Sequence, residues 1–264
     1  MKEYRKLTPK KKFGQNFIED KFLLSELVDL MEIKKNDIFV EIGPGTGNLT
    51  ELIVDKSASC TSIEIDRNLI SLLERRFEDV KNFKVINKDI LSFDIHSICK
   101  DEDSIRLAGN LPYNLSSPIL EWSIENINTI IDMHFMLQKE FAERCAGDEN
   151  SKSYGKLSVI CDYLFEVCIL KDVDKSFFIP SPKVDSCFVR FKPRKKIYDK
   201  KEFSELKKIL NLLFNAKRKK IKKTLLSQFS EKDLKSTNLN LNLRPDELNT
   251  SNFLELSKLI KNNG

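Results

Sequence analysis

Short apolar runs and helical-period stretches alternate along the first two-thirds of the chain. The runs Ile38–Ile42, Cys60–Ile65, Phe83–Ile86, Ile105–Ala108 and Phe135–Leu137 have the length of buried strands, and turn residues follow each one. Between them, Leu49–Val54, Leu69–Phe77 and Pro118–Ile124 carry apolar residues at helical spacing. This alternation predicts an α/β fold with a parallel sheet covered on both faces. Val167–Leu170 and Cys187–Phe191 read as two further strands with no long helix between them. They predict an antiparallel pair at the sheet edge.

The pattern changes after Pro193. Arg194–Lys201 is a charged linker, and beyond it Phe203, Leu206, Leu210, Leu213 and Phe214 recur at helical spacing, continued by Ile221, Leu225 and Leu226. A Ser/Thr/Asn-rich turn precedes a last helix through Phe253, Leu256 and Ile260. The expected organisation is a sheet domain over 1–193 and a small all-helical domain over 200–264.

Composition narrows the class. An apolar content of 41% in 264 residues is enough for a core, and no apolar run is long enough to span a bilayer. Met1–Lys12 is basic without the apolar stretch of a secretion signal. A cytoplasmic protein with no membrane partner is expected. Cys60, Cys99, Cys145, Cys161, Cys168 and Cys187 form no C-x-x-C pair and read as buried free thiols. His96 and His134 lack ligand spacing, so no metal is expected.

The net charge of +5 is modest but unevenly placed. Lys217, Arg218, Lys219, Lys220, Lys222 and Lys223 put six basic residues into seven positions, with almost no acidic partner nearby. Such clustering suits the phosphates of a nucleic acid, whereas a solvated helix face is the plainer alternative.

Candidate chemistry gathers where the predicted parallel strands end, the place where open α/β sheets bind ligands. Gly43, Gly45 and Gly47 follow the first strand of the alternating set as G-x-G-x-G, which differs from the G-x-G-x-x-G of dinucleotide binders. Glycines there admit close backbone approach, and the helix start beyond favours a carboxylate. Glu64 ends the next strand, placed to accept from ribose hydroxyls, and Asp89 ends the third, placed to accept from an adenine amino group. Glu41 adds negative charge that suits a cationic ligand better than a pyrophosphate. Carboxylate, ribose, adenine and a positive centre together describe S-adenosylmethionine; a nicotinamide dinucleotide site is the alternative.

Asn110-Leu111-Pro112-Tyr113 follows the fourth strand. An exocyclic adenine nitrogen is a poor nucleophile because its lone pair delocalises into the ring. Accepting hydrogen bonds from its two N–H groups, by the Asn110 side chain and the Leu111 carbonyl, favours a pyramidal nitrogen. Pro112 fixes the turn without a competing N–H, and Tyr113 offers a stacking face. Taken alone the tetrapeptide reads as an ordinary turn capping a strand. Phe177 or Phe178 offers a second wall for a base, with core packing as the alternative for either.

These motifs together resemble the ribosomal RNA adenine N6,N6-dimethyltransferase family over nearly the whole chain. The resemblance implies a Rossmann-like, S-adenosylmethionine-dependent methyltransferase sheet followed by a helical RNA- or ribosome-binding domain. Lys12-Phe13-Gly14-Gln15-Asn16-Phe17-Ile18 looks like the family's N-terminal cofactor motif, in which Gln15, Asn16 and the backbone near Ile18 close over the methionine end. Glu41–Gly47 matches its glycine motif, Glu64 its ribose ligand, Asp89 its adenine ligand, and Asn110–Tyr113 its catalytic motif, with Asn110 facing the cofactor as well. Phe178-Ile179-Pro180-Ser181-Pro182-Lys183-Val184-Asp185-Ser186 resembles its late F-x-P-x-P-x-V-x-S signature, which favours Phe178 over Phe177 as the base wall.

Leu111, the stretch Tyr154–Ser158 and a basic helix after Phe214 look more like the small-subunit branch than the macrolide-resistance branch, where Ile is more frequent at the position of Leu111. The implied substrate is a pair of adjacent adenosines in a hairpin loop near the 3′ end of small-subunit (16S) ribosomal RNA. Each would receive two methyl groups within an immature small subunit, and the enzyme is expected to be a monomer. The alternatives are a large-subunit (23S) adenine N6-methyltransferase conferring macrolide resistance and a chiefly non-catalytic ribosome assembly factor.

Overall fold

The computed structural model describes residue 10 and residues 14–98, 104–194, 198–237 and 239–262. Lys12 and Phe13 of the N-terminal motif, most of the basic stretch before them, Cys99 and residues 195–197 of the linker lie outside the described residues.

The first elements among the described residues are β1 (Phe17–Ile18) and α1 (Lys21–Leu30). Asp20 starts α1 by accepting from the Leu23 amide at 2.8 Å. The predicted alternation follows as β2 (Ile38–Ile42), α2 (Asn48–Lys56), β3 (Ser59–Glu64), α3 (Arg67–Arg76), β4 (Phe83–Asn87), β5 (Ile105–Asn110), α4 (Ser116–Glu125) and β6 (Ile130–Gln138). Then come α5 (Lys139–Cys145), α6 (Lys156–Leu164), β7 (Phe165–Val173), β8 (Phe178–Ile179) and β9 (Ser186–Pro193). The last helices are α7 (Lys200–Phe214), α8 (Ile221–Leu226), α9 (Glu231–Lys235) and α10 (Thr250–Asn262).

Among the described residues, seven strands form one sheet in the order β4-β3-β2-β5-β6-β9-β7. β4, β3, β2, β5 and β6 run parallel, and β9 is antiparallel to β6. The two late predicted strands do sit side by side at one edge. From β2 the chain steps outward through β3 to β4, then returns to place β5 on the other side of β2. The order reverses there, and a crevice lies beyond the carboxyl ends of β2 and β5. A separate two-stranded ribbon pairs β1 with β8, Phe17 opposite Ile179 and Ile18 opposite Phe178.

The core beneath the crevice packs Leu23, Leu24, Leu27 and Val28 of α1 with Phe39, Ala108, Met136 and Phe188 of the sheet. At the opposite end of β5, Arg106 is buried and saturated. It grips Asp132 through two bonds of 2.8 Å, reaches Asp37 at 2.6 Å, and donates to the Met31 and Glu32 carbonyls that end α1.

The chain packs as two units. One comprises residues up to Ala142 with Cys168–Pro193; the other comprises Glu143–Val167 with the chain from Arg194 onward. The second is larger than the expected 200–264 segment, and the sheet unit correspondingly departs from the expected 1–193. The physical reason is α6, which packs on α7 and α10. Tyr163 stacks on Phe203 with ring centroids 6.2 Å apart and donates to Glu202 at 2.9 Å, while Tyr154 donates to the Leu248 carbonyl at 2.6 Å.

The basic run also differs from expectation. Residues 217–220 lie in the turn between α7 and α8, so there is no basic helix directly after Phe214. Lys217 donates to the Tyr154 carbonyl at 2.8 Å and ties that turn down; Arg218, Lys219, Lys220, Lys222 and Lys223 are exposed. Leu226 is exposed too, whereas Ile221 and Leu225 are buried as expected. Of the cysteines, Cys60, Cys145, Cys161 and Cys187 are buried, and Cys168 is half-buried.

Candidate active site

A cavity of about 320 Å³ opens where β2, β3, β4 and β5 end. Gln15, Asn16, Ile18, Gly43, Gly45, Glu64, Asp89, Asn110, Leu111 and Pro112 all line it. Residues predicted from five separate stretches therefore meet at one place.

Positive φ angles of 66° and 58° at Gly43 and Gly45 carry the turn past β2. A side chain on Gly45 would meet the Phe17 ring at 2.9 Å, so glycine there lets β1 lie against the turn. Gly47 serves a different purpose from the one expected. It does not line the cavity, and a Cβ on it would strike Phe77 at 2.8 Å and Leu73 at 2.9 Å. That glycine lets α3 approach the start of α2.

Three carboxylates face this space. Glu41 is buried and accepts from the Thr50 and Ser62 hydroxyls at 2.6 and 2.9 Å. Burial raises its carboxyl to about 7 against the pull of those hydroxyls. Glu64 is also buried, which pushes its carboxyl up, while the backbone amides of Asp66 and Ile65 oppose the rise. Asp89 is exposed and caps the turn after β4, accepting from the Leu91 amide at 3.0 Å. Ile65, Ile90 and Leu91 supply apolar surface between them.

Several residues that the sequence did not single out hold this site together. Asp66 caps α3, donates its amide to Glu64 at 2.8 Å, and accepts from Lys10 and Gln15 at 2.7 and 3.2 Å. Burial pushes the Asp66 carboxyl up, yet the Lys10 ammonium and the Asn68 and Gln15 donors hold it below the ordinary range. Its signal was legible as an N-cap aspartate just ahead of the helical period of α3. Gln15 thus spends its amide on Asp66. Asn16, oriented toward carbonyl acceptors, donates to Pro180 at 3.0 Å. Asn110 donates to the Asn16 carbonyl at 2.6 Å, and the Tyr113 and Ser186 hydroxyls share a hydrogen bond of 2.7 Å. Burial raises the Tyr113 hydroxyl, with the Ser186 bond opposing, so the phenol stays protonated.

Tyr113 and Phe178 are not on the cavity wall. Phe178 is 2% exposed, packed in the core under the β1–β8 ribbon, and offers no open face to a base. The alternation of the ribbon decides this: Phe178 points in, whereas Phe177 and Ile179 on either side are 39% and 50% exposed.

The model of the family described as ribosomal RNA adenine dimethylase matches residues 6–262. The chain belongs to that family. It is therefore an enzyme, a ribosomal RNA adenine dimethyltransferase, and its sheet is the Rossmann-like sheet of S-adenosylmethionine-dependent methyltransferases. Among curated relatives it is 38% identical to the "Ribosomal RNA small subunit methyltransferase A" of Francisella tularensis subsp. tularensis, over 97% of this chain and 98% of the relative. It is 36% identical to the protein of the same name from Marinobacter nauticus, over 97% and 92% of the two chains. Among solved structures, a dimethyladenosine transferase from Plasmodium falciparum superposes with a TM-score of 0.77 at 25% identity, covering 94% of this chain and 97% of the other. The 23S rRNA methyltransferase ErmE gives 0.74, also at 25% identity, covering 93% and 100%. Among the described residues, no helix is long and apolar enough to cross a membrane.

Proposed function

We propose that this enzyme uses S-adenosylmethionine to dimethylate N6 of two adjacent adenosines in a hairpin loop near the 3′ end of small-subunit ribosomal RNA. It would act as a cytoplasmic monomer on an immature small subunit. The observation that carries the catalytic reading is the 2.6 Å bond from the Asn110 amide nitrogen to the Asn16 carbonyl. With its donor committed, the Asn110 side chain keeps its oxygen as an acceptor for a target N–H. The Leu111 carbonyl is the second acceptor, and the buried Leu111 side chain anchors it. Two acceptors on one amino group draw its lone pair out of the ring, which is what makes it nucleophilic.

The cavity suits the cofactor. Glu64 would hold the ribose hydroxyls, Asp89 the adenine amino group, and Ile65, Ile90 and Leu91 the faces of the base. Asn16 and the backbone near Ile18 would hold the methionine end, with Asn110 between cofactor and target. Gln15, bound to Asp66, would act by fixing that segment. Three acidic side chains around one space favour a sulfonium over a pyrophosphate. When bound, the cofactor supplies an electrophilic methyl group; the protein's part is to align donor and acceptor in line. Tyr113, its hydroxyl held by Ser186, would stack on the base, and the exposed Phe177 stands nearer an open face than Phe178. Arg218, Lys219, Lys220, Lys222 and Lys223 would meet RNA phosphates, while Lys217 braces their turn.

The small-subunit reading rests on the name shared by the curated relatives at 36% and 38% identity; ErmE, at 25%, favours the large-subunit alternative less. Methyl transfer from labelled S-adenosylmethionine to unmethylated small and large subunits in parallel tests it. N6,N6-dimethyladenosine in the small subunit alone is the expected product. Label confined to large-subunit RNA moves the enzyme to the resistance branch. Binding to subunits without any label makes it an assembly factor.

A further inference from the structure

We propose that Asn48, held by Arg76, is a positioning residue that pins β1 to the rim of the cavity and so sets how tightly the cofactor is retained. The inference rests on the cofactor reading above and adds to it two residues outside the motifs.

β1 is weak on its own. It has two residues, pairs among the described residues only with the two-residue β8, and yet supplies Phe17 and Ile18 to the cavity wall. A ribbon that short has little intrinsic stability. Its position depends on tertiary anchors, of which the Ile18 side chain in the core is one. Another is polar: the Asn48 amide nitrogen donates to the Ile18 carbonyl at 2.9 Å. Asn48 is the first residue of α2, directly after the glycine turn, and it lines the same cavity.

The orientation of Asn48 is dictated from its other side. Its side-chain oxygen accepts from Arg76 of α3 at 2.9 Å. A guanidinium only donates, so the amide must present its oxygen to Arg76 and its nitrogen to β1. Arg76 is itself fixed by bonds of 2.5 Å to the Thr46 carbonyl and to Glu51. The chain of bonds runs from α3 through the glycine turn to β1, joining the two walls that face the cofactor. Asparagine meets this demand because it carries a donor and an acceptor on one short rigid group. Aspartate keeps the acceptor and loses the donor.

The test is calorimetric binding of S-adenosylmethionine and S-adenosylhomocysteine to the full chain, with amide hydrogen exchange of the 15–18 segment read alongside. Asn48→Ala is expected to raise both Kd values about ten-fold, the worth of one well-placed hydrogen bond. It should speed exchange at 15–18 and shift Tm by no more than about 4 °C. Asn48→Asp, which still serves Arg76, should speed exchange in the same segment without lowering Tm. An unchanged Kd in Asn48→Ala overturns the proposal, whatever happens to Tm, because a purely structural role moves stability alone. Protected amides at 15–18 in both variants also overturn it, since Asn48 would then act on the ligand directly. If the unaltered protein binds neither compound, the cofactor reading itself fails, and that result is distinct from the other two.

Discussion

At the scale of single residues, Asn110 and Glu41 show two ways in which burial and hydrogen bonding set chemistry. Asn110→Ala removes the acceptor that the proposed mechanism aims at the target nitrogen. Turnover should fall below detection while S-adenosylhomocysteine binding stays within about ten-fold of the unaltered protein, as expected for loss of one neutral hydrogen bond at most. Preserved turnover would exclude Asn110 from the reaction. The pH dependence contributed by Glu41 has a definite sign. Its carboxyl sits near 4.5 in an unfolded chain and is raised to about 7 when folded. Between those values the folded state holds a proton that the unfolded state has released. The stability linked to Glu41 is therefore complete below about pH 4.5 and lost as pH rises through 7. Glu41→Gln keeps an oxygen for Thr50 and Ser62 and removes the titration. Its stability relative to the parent should rise by on the order of 3 kcal/mol from pH 4.5 to pH 8 in urea unfolding. A difference that stays flat with pH would mean that Glu41 titrates alike in both states. Most site residues were legible because their types are scarce at strand ends: glycines, lone acids, an Asn-Leu-Pro-Tyr turn. Asn48 and Arg76 were not, because each acts across a tertiary contact that leaves no local period or spacing.

At the scale of elements, the sequence predicted the central strands well because each is apolar, short and bounded by turns. It shortened β6 to Phe135–Leu137 although the strand runs from Ile130 to Gln138. The polar positions Asp132 and His134 interrupted the apolar run, and both are buried. Asp132 belongs inside because Arg106 of β5 meets it with paired bonds; the cost of burying one charge is offset only by the other. Arg106 also closes the end of α1. Arg106→Ala leaves Asp132 and Asp37 without their cation and strips the last carbonyls of α1. A loss of about 3–5 kcal/mol in denaturant unfolding is expected, the range for breaking one side of a buried pair. A loss under about 1 kcal/mol, typical of exposed pairs, would show that water replaces the guanidinium.

At the scale of the whole molecule, charge is concentrated in the second unit on the turn after α7. Replacing Arg218, Lys219 and Lys220 with glutamine should weaken RNA binding and reduce the slope of log K against log salt by about 0.7–0.9 for each phosphate left without its cation. An unchanged slope would return these residues to ordinary solvated charge. Lys217 is excluded from that set because its removal would free the Tyr154 carbonyl and disturb the turn. The division of the chain was the least legible level. Periodicity marks where helices begin, but not which neighbour an apolar helix face will choose, and α6 chose α7 and α10. The path of the chain through its two units has a consequence for how the protein is made. Residues 143–167 emerge from the ribosome well before α7 and α10, which cover them, and the sheet unit waits for β9 before its edge is filled. A gene cut at residue 193 would keep α6 but remove α7 and α10, taking away the Phe203 ring that stacks on Tyr163. Exchange of the second unit between relatives must therefore move two stretches of gene at once.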